Sequence, residues 1–148
     1  MVKSEMQEAI KKAKEAHELQ MQKIEAAMNG KEIDNPTALN KTECEFGKWL
    51  YDDKNRMKVI IGSQFFTSLD IEHEKWHTEY TKIYNILFDE KNKKGFFSRL
   101  LGKSSIDPME LDKVKLYYAD LQETTIRLLH ILASSQRRID ALPESKFH

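Results

Sequence analysis

The sequence predicts an all-α fold, a four-helix bundle with a short extra helical segment between the third and last main helices. Only five glycines and three prolines interrupt 148 residues, no long run alternates apolar with polar side chains, and apolar residues recur at three- and four-residue steps over long stretches. At this length, with 40% hydrophobic residues, the chain can bury one modest core, so a single domain over residues 1–148 is expected.

The first helix is predicted from about Ser4 to Met28. Met6, Ile10, Ala13, His17, Gln20, Ile24 and Ala27 lie on one face of it, and Asn29-Gly30 ends it. His17 therefore points into the bundle. Asn35-Pro36 marks a turn. Thr42-Glu-Cys-Glu45 then reads as a capping box, with Thr42 as N-cap and Cys44 in the first helical turn. In that place the free N–H groups and the helix dipole favour a thiolate. This second helix runs to about Asp53. Gly47 within it costs about 1 kcal/mol relative to alanine, which suggests that another backbone or a ligand group approaches closely there.

An irregular segment is expected over Arg56–Ile61, before Gly62-Ser63 opens a third helix. Phe66, Leu69, His73, Trp76, His77, Tyr80, Tyr84 and Leu87 form its apolar side. His73 and His77 are one turn apart, with about 5–6 Å between their Cβ atoms, so both can reach one ion. Asp107-Pro108-Met-Glu110 supplies an N-cap, a proline at the first position and an acidic third position for the last helix. Leu111, Val114, Tyr118, Leu121, Thr125, Leu128 and Leu132 make its inward stripe.

Charge is balanced at 24 basic and 24 acidic side chains, which gives no overall attraction to nucleic acid or to an anionic membrane. No segment has the roughly 20 apolar residues of a membrane span and no signal-peptide pattern opens the chain, so a cytoplasmic protein is expected. A lone cysteine cannot form an internal disulfide and is a packed apolar residue, a metal ligand or a reactive thiol. Taken singly, His17 reads as a hydrogen-bonded core histidine and Cys44 as inert packing. Taken together, His17, Cys44, His73 and His77 compose three imidazoles and a thiolate, the tetrahedral Cys-His shell that zinc prefers. Iron more often takes carboxylates or an open position.

The ordered strings His17-Glu-Leu19, Cys44-Glu-Phe-Gly47-Lys-Trp49 and His73-Glu-Lys-Trp-His77 resemble the chemoreceptor zinc-binding domain family over about Ser4 to Leu87. The resemblance implies one zinc ion per chain, held by His17, Cys44, His73 and His77. It also implies a bacterial cytoplasmic sensory module, a homodimer of four-helix bundles attached to a chemoreceptor or a diguanylate cyclase. Such modules sense zinc, or hypochlorous acid through oxidation of the cysteine that Cys44 matches. Neither a receptor signalling hairpin nor a cyclase domain is recognisable in this sequence.

His73-Glu74-Lys-Trp-His77 also satisfies the His-Glu-x-x-His string of zinc metalloproteases, with Glu74 as general base. A hydrolytic zinc keeps a coordination position open for water, which His17 and Cys44 would fill, so an enzyme is not expected. A hemerythrin-like site needs more histidines and bridging carboxylates than the inward stripes carry. The remaining alternative is a metal-free helical interaction module. His130 falls off the apolar stripe and His148 is terminal, so neither is expected at the metal. Residues 91–103 carry Lys91, Lys93, Lys94, Arg99 and Lys103 among Phe96, Phe97, Leu100 and Leu101. A connection between helices, spanning about 91–106, is favoured for them over contact with a membrane.

Overall fold

The apolar stripe that begins at Met6 produces a helix of 26 residues, α1 (Lys3–Met28), whose buried residues are Met6, Ile10, Ala13, His17, Gln20, Ile24 and Ala27. This is the predicted face, residue for residue. The structure, a computed structural model, describes residues 2–31, 36–87 and 107–148. The basic stretch 91–103 lies outside the described residues. Four more α-helices follow among the described residues: α2 (Glu45–Leu50), α3 (Met57–Ile61), α4 (Ser63–Leu87) and α5 (Pro108–Ala141), with a 3₁₀ turn at Glu144–Phe147. No described residue lies in a strand, and the fold is all-α as expected.

Helices α1 and α4 both pack along α5, while α2 lies on α1 and α3 fills the corner between α4 and α5. Ile10 and Ile24 of α1, Leu69, Trp76 and Ile83 of α4, and Leu121, Leu128, Leu132 and Ile139 of α5 have no exposed surface. Each such side chain contributes about 1.5–3 kcal/mol of burial. Helix α5 starts as expected, with the Asp107 side chain accepting from the Met109 N–H at 3.0 Å and Pro108 in the first turn. Its far end is closed from α1. Lys3 Nζ donates to the carbonyl oxygens of Asp140 and Leu142 at 2.9 and 2.8 Å, satisfying acceptors that a helix C-terminus leaves without partners.

The region between α1 and α4 departs from expectation in three places. Thr42 is not an N-cap: its N–H and its hydroxyl both donate to Asn40 Oδ1, at 3.1 and 3.0 Å. The N-cap of α2 is Cys44 itself, one position before the first helical turn. The helix also stops at Leu50 rather than Asp53, because the side chains of Asp52 and Asn55 accept from the N–H groups of Lys54 and Met57 (2.9 and 2.6 Å) and turn the backbone out of the helix. Met57–Ile61, expected to be irregular, is the short helix α3, with Met57, Ile60 and Ile61 buried. Gly62 separates it from α4 at φ 90°, a left-handed conformation that side chains other than glycine's rarely adopt.

Candidate metal centre

Halfway along the bundle the apolar stripes of α1 and α4 turn polar. His17 and Gln20 on α1, and His73 and His77 on α4, are all buried. The one-turn spacing of His73 and His77 sets their rings 4.7 Å apart and nearly perpendicular, and His17 meets them from α1 at 5.4 and 6.2 Å. One ring nitrogen from each of the three lies within 4.8 Å of the others, a group able to hold a metal ion. Cys44 comes from the turn before α2. Its Sγ is 3.4 Å from His73 Nε2 and 3.2 Å from the Gly47 N–H, which donates to it.

The outward nitrogens of the rings are occupied. His17 Nδ1 is 2.7 Å from the Ala13 carbonyl oxygen and His77 Nδ1 is 3.1 Å from that of Leu39. A carbonyl only accepts, so both rings carry their proton on Nδ1 and present the Nε2 lone pair to the interior. His77 Nε2 is buried and has no hydrogen-bond partner. Buried polar atoms are seldom left so, and a nitrogen lone pair facing two more imidazoles is a metal-ligand arrangement. The close group is made by the three imidazoles without Cys44, whose sulfur reaches only His73 among them. The residues present therefore fit a zinc ion.

Burial sets the protonation of these groups in the absence of metal. It pushes His73 down to about 2, helped by repulsion from His17, His77 and Lys41. His77 is pushed down to about 4, again by burial first and His17 second. His17 is lowered by burial, partly opposed by the Ala13 carbonyl. All three are thus neutral, the state in which imidazole binds metal. Cys44 departs from the sequence reading. Burial raises its pKa above the usual thiol value, and the N–H groups of Gly47, Phe46 and Cys44 itself offset this only in part. The helix terminus alone does not make it a thiolate; a cation beside it would.

The turn that carries Cys44 is pinned from several sides. Gln20 accepts from the Thr37 N–H at 3.0 Å, Tyr80 donates to the Thr37 carbonyl at 3.0 Å, and the Leu39 carbonyl meets His77. Lys41 Nζ pairs with Asp70 at 2.9 Å and with Glu74 at 3.5 Å. Gly47 allows the chain to close here, since a Cβ on it would overlap the Lys41 carbonyl. That carbonyl in turn accepts from Cys44 Sγ at 3.4 Å. The close approach expected at Gly47 is thus made by backbone. Two site residues, Tyr51 and Asp70, were not foreseen, and Phe46 entered only as part of a matched string. Phe46 sets its ring edge-on to His73 and His17, at 5.1 and 6.2 Å. Tyr51 places its hydroxyl 3.3 Å from His73 Nδ1 and donates to Asp70 at 2.6 Å.

Trp76 is fully buried beside His17 and His77, with its indole N–H on Thr125 Oγ1 at 2.8 Å. Trp49 is only partly buried and stacks on Phe46. His130 is exposed, and His148 lies 3.9 Å from Glu144, away from the site. Glu74, the general base of the protease string, is 64% exposed and turned toward Lys41.

A family model described as the chemoreceptor zinc-binding domain matches residues 17–93, more than half of the 148-residue chain. The chain belongs to this family. The chemoreceptor zinc-binding domain match opens on His17 and includes Cys44, His73 and His77. No curated protein and no solved structure matches the chain significantly. Among the described residues, no helix is long and apolar enough to cross a membrane.

Proposed function

We propose that the chain is a zinc-dependent sensory or regulatory domain of bacterial signalling, one bundle in which His17, Cys44, His73 and His77 together hold one zinc ion. The observation that carries this reading is the buried convergence of three imidazoles with His77 Nε2 left without a partner; the Cys44 sulfur adjoins this group through His73 Nε2, 3.4 Å away. Four protein ligands leave no position for a hydrolytic water, which favours regulation over catalysis. When bound, zinc supplies a positive centre that keeps the Cys44 sulfur deprotonated. The chain's own part is to aim three Nε2 lone pairs inward, to exclude water with Trp76 and Phe46, and to present the sulfur at the start of α2.

In this reading Cys44 is also the group that responds to oxidant. A thiolate and hypochlorous acid give a sulfenic acid and chloride: sulfur gains an S–O bond and loses two electrons, and the chlorine that takes them leaves as chloride. The sulfenic acid is a poorer metal ligand than the thiolate, so zinc sensing and oxidant sensing act on one atom. The domain works as a cytoplasmic homodimer whose output goes to a chemoreceptor or cyclase-type partner. Support for a paired state comes from the groove between α1 and α2, lined by Ala9, Ala16, Leu19, Phe46 and Trp49, where Leu19 is 51% exposed.

Metal analysis of the full chain tests the reading. Close to one zinc per chain after gentle purification is expected, and light scattering at micromolar concentration should give a dimer. A protein that holds no zinc when supplied with it loses this function, and a strict monomer loses the dimer.

A further inference from the structure

Tyr51 is the residue of the site whose hydrogen bonds have a forced direction without a backbone carbonyl to force it. Its hydroxyl has a single proton and lies between Asp70 Oδ1, at 2.6 Å, and His73 Nδ1, at 3.3 Å. The same Asp70 oxygen accepts from Lys41 Nζ at 2.9 Å. A carboxylate has no proton to give, so the short contact takes the phenolic proton toward Asp70. The phenolic oxygen is then left as an acceptor, and the proton between Tyr51 and His73 must come from His73 Nδ1. The polarity runs in one direction from His73 Nδ1–H to Tyr51 to Asp70, where it meets the Lys41 ammonium.

We propose that Tyr51, oriented by Asp70, is the positioning residue that fixes His73 as its Nδ1–H tautomer and so presents the Nε2 lone pair to zinc. The inference rests on the zinc reading and deepens it. His17 and His77 receive the same instruction from main-chain carbonyls, which no substitution removes. His73 receives it from side chains on α2's C-terminal end and on α4, one turn before His73 itself. The stacking of the Tyr51 and His73 rings, 22° from parallel at 6.2 Å, holds the geometry. The competing tautomer has a partner ready, because Cys44 Sγ lies 3.4 Å from His73 Nε2 and would accept a proton placed there. Without Tyr51 the ring has reason to turn its proton inward, onto the atom that zinc needs.

Two substitutions act on this relay at different points. Tyr51→Phe removes the acceptor. Asp70→Ala never touches His73 but frees the phenolic proton to point at Nδ1, converting Tyr51 from acceptor to donor. Nitrogen-15 NMR of the full chain, stripped of zinc and reloaded, reads which ring nitrogen of His73 carries the proton. Competition with a chromophoric chelator reads zinc affinity. Both variants are expected to move the His73 proton to Nε2 in the zinc-free chain and to weaken zinc binding by about 10- to 100-fold. The double variant should be no weaker than Tyr51→Phe, since the two residues act in series. If Tyr51→Phe fails to fold, Asp70→Ala alone decides, because Asp70 is partly exposed and outside the core. His73 retaining its Nδ1 proton in the variants, or zinc affinity unchanged within twofold, overturns the inference. Absence of zinc binding by the parent chain instead overturns the zinc reading, while the tautomer measurement still reports on Tyr51.

Discussion

The carbonyl oxygen of Lys41 occupies the space that a side chain at Gly47 would need. At an open helical position, glycine to alanine is stabilising by about 1 kcal/mol. Here the opposite sign is expected. Gly47→Ala should destabilise by about 1–3 kcal/mol through overpacking, and should weaken zinc binding at least tenfold, because the displaced turn carries Cys44. Urea unfolding and a zinc competition titration measure the two effects. A variant that is more stable and binds zinc normally would show that the turn yields without consequence.

If His17, Cys44, His73 and His77 hold the zinc as proposed, alanine at any one of them removes a ligand of a closed site, and each should lower zinc affinity by more than the 10- to 100-fold typical of supporting residues. His130→Ala, on the exposed face of α5, should bind zinc as the parent does. Full zinc retention by a chain lacking both His17 and Cys44 would reduce the site to the His73 and His77 pair. An assay of peptide cleavage would then test the His-Glu-x-x-His alternative with Glu74 as general base.

Acid should destabilise the zinc-stripped chain over a defined range. In the unfolded chain each imidazole takes up a proton near its ordinary value of 6.5, whereas the folded chain resists protonation at His77 until about 4 and at His73 until about 2. The unfolded state therefore binds more protons below 6.5. Stability is full above that pH and falls as the pH drops from about 6.5 toward 4, by roughly 1 kcal/mol per pH unit for each histidine. Urea unfolding of chelator-treated protein between pH 8 and 5 checks the slope. A flat profile would mean that the rings titrate freely in the folded chain.

Near-stoichiometric hypochlorous acid should oxidise Cys44 in the zinc-loaded protein and release zinc, with the mass of the Cys44 peptide rising by one oxygen before further oxidation. The chain carries six methionines, so the order of oxidation matters. Cys44 remaining reduced while methionines oxidise, or a Cys44→Ala chain with residual zinc responding like the parent, would leave a structural zinc without a redox role.

How much of this was legible in the sequence depended on how local the cause was. A long amphipathic helix is decided by its own periodicity, so the buried face of α1 followed from Met6 through Ala27, and His17 came with it. The Asp107-Pro108 start of α5 is equally local. The cap of α2 was misplaced by two residues because Asn40, outside the capping box, takes both protons of Thr42. Gly47 signalled a close approach without naming Lys41 as its partner, since that depends on how the preceding turn folds back. Tyr51 and Asp70 carried almost no signal. Asp70 stands one turn before His73, a spacing too common in a charged helix to single it out, and Tyr51 acquires meaning only when the end of α2 is set against α4. Ile83, Ser135 and Ile139 are buried beyond the stripes read from sequence, where both helices are covered on a wider arc.

The sulfur of Cys44 has a second occupation, as the acceptor that closes the first turn of a helix only six residues long. Helices below about 12 residues have no independent tendency to persist in water, so α2 exists by virtue of its ends and its burial. An N-terminal cap is worth about 1 kcal/mol, and 1 kcal/mol changes the ratio of closed to open forms about fivefold. In the proposed reading, chemistry at one atom would thereby be converted into the occupancy of a whole turn of helix, and with it the placement of Phe46 against His73 and His17 and of Trp49 upon Phe46. In amide exchange, α2 should be the segment whose opening rate follows the oxidation state of that sulfur while α1, α4 and α5 keep theirs.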